Sequence, residues 1–493
     1  MSFSALALWL GGALSLTSTA NEPWRYRAEF QADTQLLRVQ VCTPSATVPL
    51  VLRALDRPAL EHLQIGSDWQ LDERRWQIRH TGGACGGYDV ELGRLADRRS
   101  SGHGYRVGAD LLTWPDAWLW WPASRSVEAV IEFELPDGWQ ISTPWPQPDP
   151  SRSEFRLGGW PRDWPGLVAL GHFDRRLLEG SAEGVRLAML GNIERSRRDE
   201  LARWVTHLAE LLEPVGGLPL PQAQVLIVPM NRGNGPVPWG QVHRAGFGGV
   251  HFFVNPQHSL QDFVDDWTGA HEFSHLLHPY LGRRGRWLSE GLASYYQNVL
   301  RARSGDLSEF EAWERLLAGF GRGRRDASGG TALLEVARQM QQRRAFMRVY
   351  WSGAAWWLQR DVELRLQLGT ANGLDALLRR FAMTRLPANR TWSPQEFAAE
   401  LDRLAGVSVF VPALAPAESE LQFPNVAPLL QRLGLISDRS GELRRLDDEA
   451  ELAALRQAIM HPQGAPRLGP ELGSSRAPRT ALASGLPACR RCW

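Results

Sequence analysis

With 493 residues, 43% of them hydrophobic and 22% charged, the chain can bury a large core in two or three domains, which excludes a disordered or low-complexity protein. The formal charge is +1, from 55 basic and 54 acidic residues. Every basic residue is arginine, and the acids are interspersed among them, so there is no basic tract of the kind that binds nucleic acid. The 22 tryptophans are scattered along the chain, a distribution that favours core layers over a sugar-binding surface.

Residues 1–20, MSFSALALWLGGALSLTSTA, are apolar or small, end in Ser18, Thr19 and Ala20, and read as a signal peptide without its charged leading region. An uncleaved anchor is the other reading of that segment. No other stretch has the roughly 18 uncharged apolar residues needed to span a bilayer. The expected location is therefore outside the cytoplasm, periplasmic or extracellular. Cys42 and Cys85 fit such an oxidising compartment, and closing the loop between them is worth about 4 kcal/mol if the geometry allows it.

From residue 21 to 178, short alternating runs separated by turn residues predict a β-sandwich-like domain. The runs are YRAEF, LLRVQVCT, VPLVLRAL, RRWQIRHT, YDVELGRL, SVEAVIEFEL and SEFRLGGW, with Pro115 to Ser124 as a bulky loop or edge. GVRLAMLG then predicts a strand and NIERSRRDELARWVTHLAELLEPVGG an amphipathic helix closed by glycines. QAQVLIVPM and VHFFVNP are further strands, the second entered through the glycine-rich turn AGFGG. His243, His251 and His258 show neither i,i+4 pairing nor clustering and are expected at the surface or in turns.

The stretch GAHEFSHLLHPYLGRRGRWLSEGLASYYQ holds the chemistry. His271 and His275 stand four residues apart around Glu272, which puts two imidazoles on one helical face, a metal-binding geometry. By chance HExxH arises in roughly one or two such chains per hundred. Zinc bound this way needs a third protein ligand and an open position, and Glu290 is the natural candidate. A third histidine six positions after His275 would mark a metzincin, but that position is Leu281, and His278 comes too early. Pro279, Gly282 and Gly285 break the helix, so two antiparallel helices bring Glu290 back over the histidines. Beyond Gln297 the spacing is mainly helical to residue 460, and residues 461–493, which end in CRRCW with Cys489 and Cys492, read as a disordered tail.

These residues resemble the zinc core of the gluzincin metallopeptidases. WLSEGLASYY is most similar to the glycyl aminopeptidase family, with the aminopeptidase N family as a more distant likeness. The resemblance is close over Gly248 to Gly369, and no PDZ domain is expected after Leu435. It implies a multidomain fold: an N-terminal β domain (21–178), a thermolysin-like α/β catalytic subdomain (179–300) and a helical C-terminal subdomain (301–460). It also implies one Zn2+ per chain held by His271, His275 and Glu290, Glu272 as general base, and Tyr350, in VYWSGAAWW, as the oxyanion-stabilising residue. In such enzymes an edge strand before the metal helix binds the substrate backbone, and Gly248, Gly249 and Val250 fit that role. GGVH stands where aminopeptidases carry an amine-binding Glu, so His251 replaces the acid and the choice between exo- and endopeptidase stays open. The expected partner is a peptide or protein substrate; the oligomeric state is open. The alternative is a catalytically degenerate binding or scaffold protein with a Trp-rich β domain.

Overall fold

Alternation of apolar and polar residues makes Trp24–Gln31 a half-buried strand, its even-numbered side chains facing the core and its odd-numbered ones turned towards solvent. In the computed structural model it pairs antiparallel with Leu36–Cys42 and parallel with Ala129–Glu134. The structure describes residues 22–461 except 98–102, 125–127, 231, 232, 234, 245, 327, 439 and 440. The segment expected to be a signal peptide, residues 1–20, and Cys489 and Cys492 therefore lie outside the described residues, as does everything from residue 462. Among the described residues no helix is long and apolar enough to cross a membrane.

The N-terminal half is sheet-rich. A six-stranded sheet and two four-stranded sheets enclose a core that includes the fully buried Trp118 and Trp120. The Tyr26 hydroxyl donates to the Trp120 carbonyl at 2.9 Å, and the Trp120 amide donates to the Tyr88 hydroxyl at 3.1 Å, so these aromatic residues are fixed by their polar ends. YDVELGRL is not one strand: it ends at Val90, and Leu92–Asp97 is helical. Asp110–Thr113 and Val168–Gly171, which the alternation does not predict, are strands of the third sheet and buried at every position, so they carry no period-two signal.

Cys42 and Cys85 face each other across the pair Leu36–Cys42 and Cys85–Val90 and form a disulfide closing a 43-residue separation. Replacing both with serine is expected to lower the unfolding free energy of this region by about 4 kcal/mol. Urea unfolding followed by tryptophan fluorescence measures this, and an unchanged midpoint would overturn it.

A five-stranded mixed sheet follows, in the order Asp174–Leu177, Val185–Met189, Ala223–Pro229, Gly249–Val254, Trp239–His243. Helix Arg195–Glu210 links the second and third of these in the chain. Both faces of the sheet are covered. Leu187, Val225, Ile227, Val250 and Phe252 join the core formed with the helices, while Ala188, Leu226 and Val228 pack with Leu112, Trp114 and Ala169 of the third N-terminal sheet. Burial on both faces explains the unbroken apolar run in QAQVLIVPM.

The expectation that Gly248–Val254 is an edge strand is not met. Gly249–Val254 is interior, paired with Ala223–Pro229 on one side and Trp239–His243 on the other. The outermost strand on that side is Trp239–His243, whose Gly and Pro neighbours in GNGPVPWGQVH hide it from pattern reading. The C-terminal half is mainly helical, and one continuous core runs from Leu178 to Met460.

Candidate metal centre

Helix Thr268–Ser274 carries His271 and Glu272 and tightens into a 3-10 turn at His275–Leu277. The chain breaks after His278 and returns as helix Arg286–Ser304, which places Glu290 over both histidines. Glu290 Oε2 is 3.2 Å from His271 Nε2 and 3.6 Å from His275 Nε2, and one ligand atom from each of the three residues lies within 4.8 Å of the others. All three are buried.

The outer contacts decide which ring nitrogens face inward. Gln297 Oε1 accepts from His271 Nδ1 at 2.8 Å, leaving Nε2 as a lone pair. Gln297 lies seven residues after Glu290, two turns along the same helix face, a spacing from which its role was legible. At His275 a relay does the same work. His278 Nδ1 donates to the Pro279 carbonyl at 2.8 Å, so its Nε2 is an acceptor, 3.4 Å from His275 Nδ1, with the Ser289 hydroxyl 3.2 Å from both nitrogens. His275 is therefore protonated on Nδ1 and presents Nε2 to Glu290.

Two imidazole lone pairs and a carboxylate thus converge in a buried pocket, and all are acceptors. His275 Nε2 and Glu290 Oε1 have no protein hydrogen-bond partner. Each such buried group costs about 1–3 kcal/mol if left unsatisfied. A divalent cation satisfies this donor set, and two histidines with one carboxylate match catalytic zinc. Burial disfavours the Glu290 carboxylate, but His275 and His271 beside it outweigh that and hold its pKa well below the usual range.

Glu272 is turned from the three-residue cluster towards the outer strand. Its Oε2 is also buried without a protein partner, and burial pushes its carboxyl up to about 7. A Cβ built on Gly240 would lie 2.6 Å from Glu272 Cγ and 2.9 Å from Thr268 Cγ2. Glycine is thus required where the outer strand passes the helix. Tyr350 stacks on the His271 ring, with centroids 5.7 Å apart and planes 14° from parallel, and burial, with the Glu290 and Glu272 carboxylates nearby, pushes its hydroxyl pKa well above the usual range.

Gly248, Gly249 and Val250 do not join this group. Val250 points into the helical core, and Gly249 sits against the side chains of Gln224 and His251. His251 and His243 are buried, not at the surface. His251 Nε2 lies 3.1 Å from Gln224 Oε1 and Nδ1 3.5 Å from Gln241 Nε2, and His243 packs edge-on against Trp114. Both project from the sheet face opposite the metal helices, because side chains alternate along a strand. His258 is half-buried beside Asp262. Arg244, just past the outer strand, donates to the His275 carbonyl at 2.8 Å and lies over the Tyr280 ring, a tie that no sequence spacing announces.

The architecture is therefore a sheet-rich N-terminal half joined to a mixed sheet and a helical C-terminal part, with a buried two-histidine, one-carboxylate cluster between sheet and helices. No protein-family model matches the chain, and no curated protein matches it. Among solved structures, an aminopeptidase N family protein from Idiomarina loihiensis is similar over 83% of this chain and 78% of that one, with a TM-score of 0.60 and 15% identity. An M1 zinc metallopeptidase variant from Deinococcus radiodurans, bound to a Tyr-Ser-Ala substrate, covers 82% of this chain and 95% of its own at TM-score 0.49 and 14% identity. Yeast LTA4 hydrolase covers 80% and 69% at TM-score 0.45 and 12% identity. The first of these shows that the chain has the fold of an aminopeptidase N family protein.

Proposed function

We propose that the chain is a zinc-dependent metallopeptidase of the gluzincin type, exported to the periplasm or beyond, that hydrolyses peptide bonds. The observation that carries this reading is the convergence of His271, His275 and Glu290 with Glu272 alongside and buried. The glycyl aminopeptidase likeness of WLSEGLASYY remains part of the proposal, and the disulfide is compatible with export.

His271 and His275 through Nε2, and Glu290 through its carboxylate, would hold the metal. Bound there, zinc supplies Lewis acidity to a carbonyl and lowers the pKa of water. Glu272, in the apolar space between its helix and Gly240, takes a proton from the attacking water and delivers it to the leaving amine. The Tyr350 hydroxyl donates a hydrogen bond to the oxyanion as the carbonyl becomes tetrahedral. The peptide backbone pairs with the free edge of Trp239–His243, and Gly240 leaves it room to approach Glu272.

Zinc content and peptide hydrolysis, measured on one preparation of the protein with free-amine and N-acetylated peptide libraries, test this. About one zinc per chain with cleavage supports the reading, and cleavage of acetylated peptides identifies an endopeptidase. His271→Ala is expected to lose the metal, because one of three ligands and the Gln297 contact disappear together. Full zinc content in that variant would overturn the ligand assignment.

A further inference from the structure

A cavity of about 480 Å3 opens at the seam between the N-terminal half and the outermost strand Asp174–Leu177 of the mixed sheet. Arg175, Arg176 and Arg186 line it from the sheet, and Gln147 and Pro150 line it from the N-terminal half. Asp174–Leu177 and Trp239–His243 stand at opposite edges of that five-stranded sheet, four strand spacings or about 19 Å apart. The cavity shares no lining residue with the metal cluster or with the proposed substrate strand.

The walls are fixed by their own contacts. The Gln147 amide donates to Gln222 Oε1 and Gln222 Nε2 donates back to the Gln147 carbonyl, both at 3.0 Å, which pins the turn before Ala223–Pro229 to the N-terminal half. Gly184, at φ +85, lies where an added Cβ would be 2.4 Å from the Pro221 carbonyl oxygen, so the two turns that line the cavity are in contact. The charges are not all matched. Arg176 pairs with Asp174 and Asp199, each at 2.8 Å. Arg186 donates to neutral acceptors: Gln147 Oε1 at 3.1 Å and the carbonyls of Thr143 and Trp145 at 3.2 and 2.8 Å. Arg175 is exposed and, among the described residues, makes no ion pair or side-chain hydrogen bond. Burial and the Arg175 charge push the Arg186 guanidinium down to about 10, so both cations persist at neutral pH and each feels the other. Glu183, exposed and also without an ion pair, is the carboxylate among the described lining residues. Two guanidiniums without a carboxylate partner therefore share a preformed hollow with one acid.

We propose that this cavity binds a small organic oxyanion, a carboxylate or phosphate group carried on an aliphatic body. Arg175 offers an unused planar fork of N–H donors, which matches the paired oxygens of a carboxylate or phosphate, and Arg186 adds a second positive charge held in place by its three acceptors. Two like charges this close repel, and an anion bound between them relieves that cost. Arg175 and Leu177 stand two residues apart on the strand and project to the same face, and Leu177 is 61% exposed. With Pro150 and Pro221 it gives the lining an apolar part suited to hydrocarbon. The volume lies within the range of about 300–1,000 Å3 that holds small molecules. The site is independent of the peptidase reading.

Calorimetric titration of the full-length protein with propyl phosphate, glutarate and the neutral glutaramide tests this. Wild type is expected to bind at least one of the two anions with a Kd of about 1 mM or below, and not the diamide. Tighter binding of propyl phosphate identifies a phosphate ester as the ligand class, and tighter binding of glutarate identifies a carboxylic acid. Arg175 and Glu183 are exposed and unpaired, so Arg175→Gln and Glu183→Gln leave the fold in place, which an unchanged Tm verifies. Arg175→Gln is expected to weaken the anion by about tenfold, through loss of a charged donor. Glu183→Gln is expected to tighten it by about twofold to fivefold, because the opposing carboxylate is gone. Opposite shifts from two surface substitutions are a signature that general loss of structure does not give. No binding of either anion by wild type, equal binding of glutaramide, or undiminished binding in Arg175→Gln would overturn the proposal. Binding that survives Arg175→Gln and disappears in His271→Ala would place the anion at the metal centre and overturn it as well.

Discussion

Glu272→Gln is expected to retain the metal and to lower kcat by between about a hundredfold and ten-thousandfold. The amide is isosteric with the carboxyl, so the packing of Glu272 against Gly240 and Thr268 is preserved. His271, His275 and Glu290 are untouched, so metal content should stay at the wild-type value. The variant loses the group that accepts a proton: a primary amide is not a base near neutral pH, whereas a carboxylate is. Elemental analysis and peptide hydrolysis on the same sample separate the two effects. Wild-type-like turnover with a full metal complement would overturn the assignment of Glu272.

Gly353→Ala is expected to damage both stability and catalysis, although Gly353 touches no reacting group. The helix carrying Glu290, Arg286–Ser304, and the helix carrying Tyr350, Phe346–Leu368, cross at Gly291 and Gly353. A Cβ on Gly353 would lie 2.0 Å from the Trp287 carbonyl oxygen and 2.7 Å from Gly291 Cα. Backbone cannot yield as a flexible side chain does, so the helices must separate. Overpacking of this kind costs about 1–3 kcal/mol. Separation also moves Tyr350 away from Glu290 and His271, and a shift near 1 Å can cost about a hundredfold in rate. Thermal unfolding together with kcat measures both effects; a variant with wild-type Tm and kcat would show that the crossing does not set the site.

Much of the candidate site was legible because it is local. HExxH is a helical spacing, and Glu290 follows within one turn and one helix, so His271, His275 and Glu290 meet as their separation predicts. Tyr350 lies 60 residues beyond Glu290, and its place against the His271 ring was implied by likeness to a family, not by spacing. The edge strand was misplaced for a physical reason. Apolar pattern reports burial, and an interior strand such as Gly249–Val254 has more of it than the outer strand Trp239–His243, which holds Gly and polar residues. Pattern reading therefore selects the strand that cannot be an edge.

The same limit applied to His243 and His251. Single polar residues read as surface, but here a second sheet covers them, and glutamines on neighbouring strands satisfy His251. Gln297 and His278 could have been found from the helix period and from the need of each imidazole for an outer partner.

By itself, the sequence determined the sheet-rich first half, the helical second half and the three residues of the candidate metal cluster, because alternation, helical period and motif spacing are properties of neighbouring residues. Only the tertiary structure decided which strand lies outermost, which imidazole nitrogen faces inward, and where Arg244 and Gly353 press. Those features join residues far apart in the chain, and their geometry is set by how sheets and helices pack.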